Sequence, residues 1–361
     1  IPILYGKPGI ISSKDSININ FDIFGSAFFM LSRYEELLSG NYDNHERFPA
    51  IESLAYQEGF LDRPIINEYL EVLKYCLISL WPELNLIKRS SKNFITCDVD
   101  WPYDPSLYSL KYLVKKIIRL IFIDKNIASA LKRIFLYSKN KFYKQKQDSY
   151  YDGIKFIMDM NETFGNKVAF YFISHYTSKL DTLKDSEFDS IRIRSLMKEI
   201  NNRGHEIGVH PGYNTFNNSG NFKNTVERLR KILKEEKIDQ KYIGGRQHFL
   251  RWDVSQTPKL WEANNLLYDS TLSYADNAGF RCGICYEYSM YDLIERRALH
   301  LKQRPLIAME SSIISKNYEG LGYGKKSMKR FEHLKNTCHQ FNGTFALLWH
   351  NSHFQNNEDK I

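Results

Sequence analysis

Two kinds of apolar spacing divide this chain near residue 90. Before it the spacing is helical. Residues 22–38 form an apolar run with Gly40 just past its end as a stop signal, and residues 65–84 repeat at helical intervals, opening after Pro64 and closing near Trp81-Pro82. From residue 93 short apolar runs alternate with helical stretches. The runs are 94–96, 168–173, 207–209, 242–244, 266–268, 306–309 and 344–348, and helices are expected over 153–163, 187–203, 224–236, 256–264 and 326–341. Seven strands with helices between them predict an α/β fold, a distorted and incomplete (β/α) barrel over 91–361, with a small, mainly helical module at 1–90. Residues 107–148 interrupt the alternation and read as basic amphipathic helices inserted between the first strand and its helix.

Barrel chemistry gathers at C-terminal strand ends. Asp98 and Asp100, His210, Arg246 and His248, Asp269, Glu310 and His350 all fall there. Packing does not require polar, reactive groups at six strand ends. His210 follows a short strand, and Asn214 lies four residues later, so both are candidates for one ion if a third ligand arrives from Asp98 or Asp100. Two carboxylates so close repel unless a cation or a shared proton lies between them. One holding a metal and the other acting as base is a natural division, so a divalent-metal hydrolase is expected.

These strand ends resemble the motifs of the polysaccharide deacetylases of the NodB-homology group, carbohydrate esterase family 4, over about residues 93–355. Thr96-Cys97-Asp98-Val99 is similar to the family's first motif, which implies Asp98 as base. The family's metal-binding Asp falls on Val99, and Asp100 is the substitute, as in a related deformylase branch with an Asp-Val-Asp motif. His210-Pro-Gly-Tyr-Asn214 is similar to the second motif, implying His210 and Asn214 as ligands beside Asp100. The third motif implies Arg246 as the residue that orients Asp98, and Leu347-Leu-Trp-His350 implies His350 as general acid. The N-terminal module and the Asp-Val-Asp-Trp-Pro opening resemble a bacterial subgroup found with surface-polysaccharide genes.

Beyond these motifs, Tyr213, His248, Arg251, Trp252, Asp269 and Glu310 are candidate substrate contacts. Arg251 would meet an acidic group, Trp252 would stack on a sugar ring, and Asp269 would alternatively orient His350. His205, His353 and the lone pair Cys282/Cys285 are weaker candidates. The implied cofactor is one divalent ion, zinc first, with Mn, Mg, Co and Ca left open because Asn214 offers an amide oxygen. The implied substrate is an acylated glycan or its lipid-linked precursor. Two other readings remain: a glycoside hydrolase using the same carboxylates, and a glycan-binding relative that has lost catalysis.

Charge and cysteine usage bear on partners. The net charge is +8, and residues 107–146 hold eleven Lys/Arg against one acid, Asp124. That stretch suits a solvated face, an anionic membrane or an acidic polymer. Nucleic acid ranks last, because no zinc-finger spacing or RNA-binding aromatic motif is present. Five scattered cysteines, an odd number, fit a reducing compartment, so a cytoplasmic location is expected, at the inner face of the membrane if the basic stretch docks there. The chain begins at Ile1, and a preceding targeting segment is left open.

Overall fold

The computed structural model describes residues 1–123, 125–142 and 147–354; Asp124, Lys144 and Lys146 of the basic stretch lie outside them. Ten strands are present among the described residues: β1 (Gly6–Ser12), β2 (Ile17–Phe21), β3 (Lys92–Val99), β4 (Val168–Phe172), β5 (Glu206–Val209), β6 (Tyr268–Asp269), β7 (Tyr288–Asp292), β8 (Arg297–Gln303), β9 (Ala308–Met309) and β10 (Thr344–Leu348). Five make one parallel sheet in the order β5-β4-β3-β10-β9. Helices such as Ser149–Thr163, Ile191–Asn202, Ser219–Glu235 and Lys325–Gln340 cover it. Every residue of β4 is buried, as expected of a parallel strand covered on both faces.

The architecture differs from the seven-stranded expectation in two ways. The run at 242–244 forms no strand. It is carried past β5 by single parallel bridges, Val209 to Gly245 and Gly245 to Asp269. Such close approach needs a glycine, because a Cβ at Gly245 would run into the Val209 carbonyl. Second, β7 and β8 pair antiparallel, and β8 continues to β6. Beyond β6, the Leu306 N–H donates to the Leu272 carbonyl at 3.2 Å, which brings the segment leading into β9 back beside the one leaving β6.

The N-terminal region shares the main core. One apolar cluster runs from Met30, Ile65 and Tyr69 to Cys97, Phe170 and Ile207. The helix expected over 22–38 is split into Ile23–Leu31 and Tyr34–Leu38, with Asp22 capping the first and Arg33 left-handed at φ 58° between them. That turn aims Arg33 at Glu36. Glu36 accepts from Arg33 Nε at 2.8 Å and from Arg281 Nε and Nη2 at 2.9 and 2.7 Å. All three side chains are buried. Burial works to raise the Glu36 carboxyl, but the two guanidinium groups hold it below its ordinary value. The N-terminal residues are thereby tied to the segment after β6. Among the described residues no helix is long and apolar enough to cross a membrane.

Breaking this triad leaves two buried cations short of their counter-charge. Glu36→Ala should destabilise the protein by about 3–5 kcal/mol in urea titrations. A loss under about 1 kcal/mol, the scale of exposed ion pairs, would show that the triad is not a fastening.

Candidate active site

Each polar group in the site leaves the C-terminal end of a parallel strand or the bridged segment beside it. Asp98 is the seventh residue of β3, and Asp100 follows its end. His210 follows β5, and its backbone N–H donates to the Phe172 carbonyl at 2.9 Å. Arg246 and His248 follow Gly245, Glu310 follows β9, and His350 lies two residues past β10.

Asp100, His210 and His248 converge, each offering an atom within 4.8 Å of the others. Asp100 Oδ1 lies 3.3 Å from His210 Nε2 and 3.7 Å from His248 Nε2. It is buried and has no hydrogen-bond partner of acceptable geometry. Both rings are fixed from behind. His210 Nδ1 lies 2.6 Å from the Arg246 carbonyl, which only accepts, so Nδ1 carries the proton. His248 Nδ1 lies 2.9 Å from Asp181 Oδ1, and the same assignment follows from the carboxylate. With Nδ1 so engaged, each ring presents its Nε2 to an unpartnered carboxylate oxygen. Imidazoles anchored at their far nitrogen beside a carboxylate make a ligand set for a divalent ion. Burial alone would lower His210 and raise Asp100. The Asp98 and Asp100 carboxylates nevertheless raise His210, and the three imidazoles hold Asp100 well below the usual carboxylate range.

Two further groups flank this triad. Arg246 Nη1 donates to Asp98 Oδ1 at 2.8 Å and to Thr96 Oγ1 at 2.9 Å, while its Nε and Nη2 hold the Ser270 carbonyl and hydroxyl. The free oxygen Asp98 Oδ2 lies 3.8 Å from His210 Nε2. On the other flank His350 Nε2 lies 3.9 Å from Asp100 Oδ2, and its Nδ1 contacts Glu310 Oε1 at 2.5 Å. Burial works to lower His350, but the fully buried Glu310 carboxylate raises it to about 10. His350 is thus an imidazolium at neutral pH. Glu310 is correspondingly held down to about 2, burial opposing and His350 prevailing.

Several expected roles move. Asn214 was expected in the ligand set. Its amide instead donates to the Thr177 carbonyl at 2.9 Å, and its side chain is exposed. His248, expected at the substrate, stands in the cluster instead. Glu310, also expected at the substrate, holds His350. Asp269, considered for that task, is buried under the Thr271 N–H and the Trp252 indole, at 2.8 and 3.2 Å, and burial raises it to about 6. Trp252 is 2% exposed and has no face for a sugar. Arg251 lies over the Tyr213 and Phe216 rings and binds the carbonyls of His45 and Tyr213 and the Glu46 carboxylate. It fastens residues 45–46 to the loop after β5, and the Tyr213 hydroxyl joins that seam through His45 Nδ1. His205 is held between the Val168 N–H and Glu162. Cys282 and Cys285 are buried free thiols that enter neither metal-capable grouping among the described residues. His353 enters the second grouping, with Glu310 and His350, its Nε2 lying 3.7 Å from Glu310 Oε1.

Asp181 is the group that sequence reading missed. Its Oδ2 accepts from Thr177 N and Oγ1 and from Ser178 N, and its Oδ1 from Tyr213 N and His248. Burial opposes its ionisation, but His248 holds it below the ordinary value. Gly212 makes room for it, since a Cβ there would stand 2.7 Å from Asp181 Oδ2. Its position in the loop after β4, another C-terminal strand end, was the signal available.

A family model described as a family of unknown function (DUF7033) matches residues 1–82. No curated protein matches the chain. Among solved structures the chain is similar to a protein assigned as a polysaccharide deacetylase from Mycobacterium smegmatis, with TM-score 0.46 and 15% identity over 74% of this chain and 79% of that one. It is also similar to PuuE allantoinase, at 0.37 and 15% over 63% and 64%. A third likeness is to a protein assigned as a polysaccharide deacetylase from Pseudomonas aeruginosa PAO1, at 0.37 and 14% over 61% and 64%. At such scores the likeness carries no residue role across.

The two candidate third ligands give opposite expectations. In elemental analysis after zinc loading, His248→Ala should lose the ion and Asn214→Ala should retain it. Asp181→Asn, which removes the negative charge behind His248, should weaken zinc affinity by about 10–100-fold. Unchanged affinity in Asp181→Asn would remove the anchoring role.

Proposed function

We propose that this chain is a divalent-metal hydrolase of the polysaccharide-deacetylase type. In this reading it removes an N-acetyl or other acyl group from a bacterial surface glycan or its lipid-linked precursor, at the cytoplasmic face of the membrane. The observation that carries the reading is an arginine-held carboxylate and a carboxylate-held imidazolium on the two flanks of the Asp100–His210–His248 cluster. Acyl transfer to water needs a base for the attacking water and an acid for the leaving amine. A glycan-binding module needs neither.

Asp100, His210 and His248 would hold the ion. Two imidazoles and one carboxylate favour zinc, with manganese and cobalt behind it; the oxygen-rich shells that magnesium and calcium prefer are not offered once His248 replaces Asn214. When bound, the ion supplies Lewis acidity toward an acyl carbonyl and a water molecule. Arg246 fixes Asp98 through Oδ1, leaving Oδ2 to accept a proton from the attacking water. Glu310 fixes His350 through Nδ1, leaving the Nε2 proton for the leaving nitrogen as the C–N bond breaks. The released acid and amine then account for both hydrogens of the water consumed.

Asp98→Asn should keep the ion and lose acetate release from N-acetylated oligosaccharides by about 10²–10⁴-fold. Wild-type turnover in that variant would contradict the base assignment, and new reducing ends without acetate would favour a glycosidase. Glu310→Gln tests the acid. Glu310 raises His350, so removing its charge lowers the His350 pKa, and the alkaline limb of kcat/KM should shift to lower pH. A limb that stays in place would show that His350 does not supply the proton.

A further inference from the structure

The helical insertion between β3 and β4 turns an apolar face outward. Leu110, Val114 and Ile118 recur every four residues along helix Leu110–Ile118 and are exposed. Ile127, Leu131 and Phe135 recur the same way along helix Ile127–Phe142 and are exposed too. Between the helices, Phe122 and Ile123 are each 73% exposed. A helix of a water-soluble domain normally turns such a stripe inward. Here two neighbouring stripes, with Phe122 and Ile123 between them, face solvent, and an apolar surface of this extent marks a contact site.

Charge identifies the occupant. Among the described residues of 107–142 nine are basic and none is acidic, so a second copy of this face would bring like charge against like. An acidic polymer would meet the lysines but leave the phenylalanine, isoleucine and leucine side chains wet. A bilayer containing anionic phospholipid satisfies both, its headgroups taking Lys and Arg and its acyl boundary taking the apolar stripe. Behind this face the same helices wall a cavity of about 760 Å³ whose lining includes Lys116, Arg119, Lys132 and Arg133 and reaches His353, beside Glu310 and His350.

We infer that the insertion is a peripheral docking surface for an anionic bilayer, seated by Phe122, Ile123 and Phe135 and their basic surround. Docked in this way, the cavity beside His353 lies next to the lipid surface.

The test is co-sedimentation of the full chain with vesicles of phosphatidylcholine, with and without phosphatidylglycerol. No substrate is involved, so the result is independent of the hydrolase reading. The wild type should pellet with the mixed vesicles, less so as salt rises, and stay soluble with phosphatidylcholine alone. The combined variant Phe122→Ser, Ile123→Ser, Phe135→Ser should lose at least about tenfold in vesicle affinity with an unchanged circular dichroism spectrum. Lys111→Glu with Lys115→Glu should also bind more weakly. Three results would overturn the inference: no binding to either vesicle, a dimer by light scattering that the serine variant abolishes, or retention of polyglutamate binding by the serine variant with no difference at vesicles.

Discussion

Everything in the site follows from one electrostatic constraint: acceptor lone pairs converge where water does not reach. Asp100 Oδ1 is buried without a donor, and the two imidazole rings nearest it are each fixed through Nδ1 on the far side. A carboxylate oxygen shut away from water without a donor is costly. Protonation of an imidazole relieves it in part: against burial, Asp98 and Asp100 together raise His210. A divalent cation would relieve it fully, and the groups behind the rings, the Arg246 carbonyl and Asp181, leave both Nε2 atoms facing that position.

The fold serves the constraint by bringing strand ends to one place. The parallel sheet β5-β4-β3-β10-β9 directs its C-terminal ends the same way, and Gly245 lets the next segment press against Val209 without forming a strand. Arg246 is then both scaffold and site. Its carbonyl fixes His210, its guanidinium fixes Asp98, and Ser270 beyond β6 fixes the guanidinium. The two flanks differ in a useful way. Asp98 is held by a permanent cation, whereas His350 is held by a carboxylate that keeps it protonated.

The strand-borne parts of the site were legible in the chain. Asp98, Asp100, His210, Arg246 and His350 each follow a short apolar run, and position at a strand end is local information. The third member of the Asp100–His210 cluster was not. Spacing from His210 pointed to Asn214, but the loop after β5 is pinned to Thr177 and Asp181 and turns the amide away. His248 points inward because the chain behind it turns through left-handed Phe249 and Leu250, at φ 61° and 56°, conformations that neither residue type announces. Trp252 and Arg251 fit a sugar site as well as a seam by residue type alone, and only their buried partners decide. The alternation of Leu299, Leu301 and Gln303 along β8 was readable and was overlooked. The outward-facing stripes of the insertion could not have been read, since periodicity defines an amphipathic face without saying what covers it.

The central claim is that the ion belongs to Asp100, His210 and His248. The most direct measurement is anomalous diffraction at the zinc edge from a crystal of the zinc-loaded protein. The account predicts one strong peak within bonding distance, about 2.0–2.2 Å, of Asp100 Oδ1, His210 Nε2 and His248 Nε2. A peak among Glu310, His350 and His353 instead would contradict it, because His350 would then be a ligand and no longer the acid.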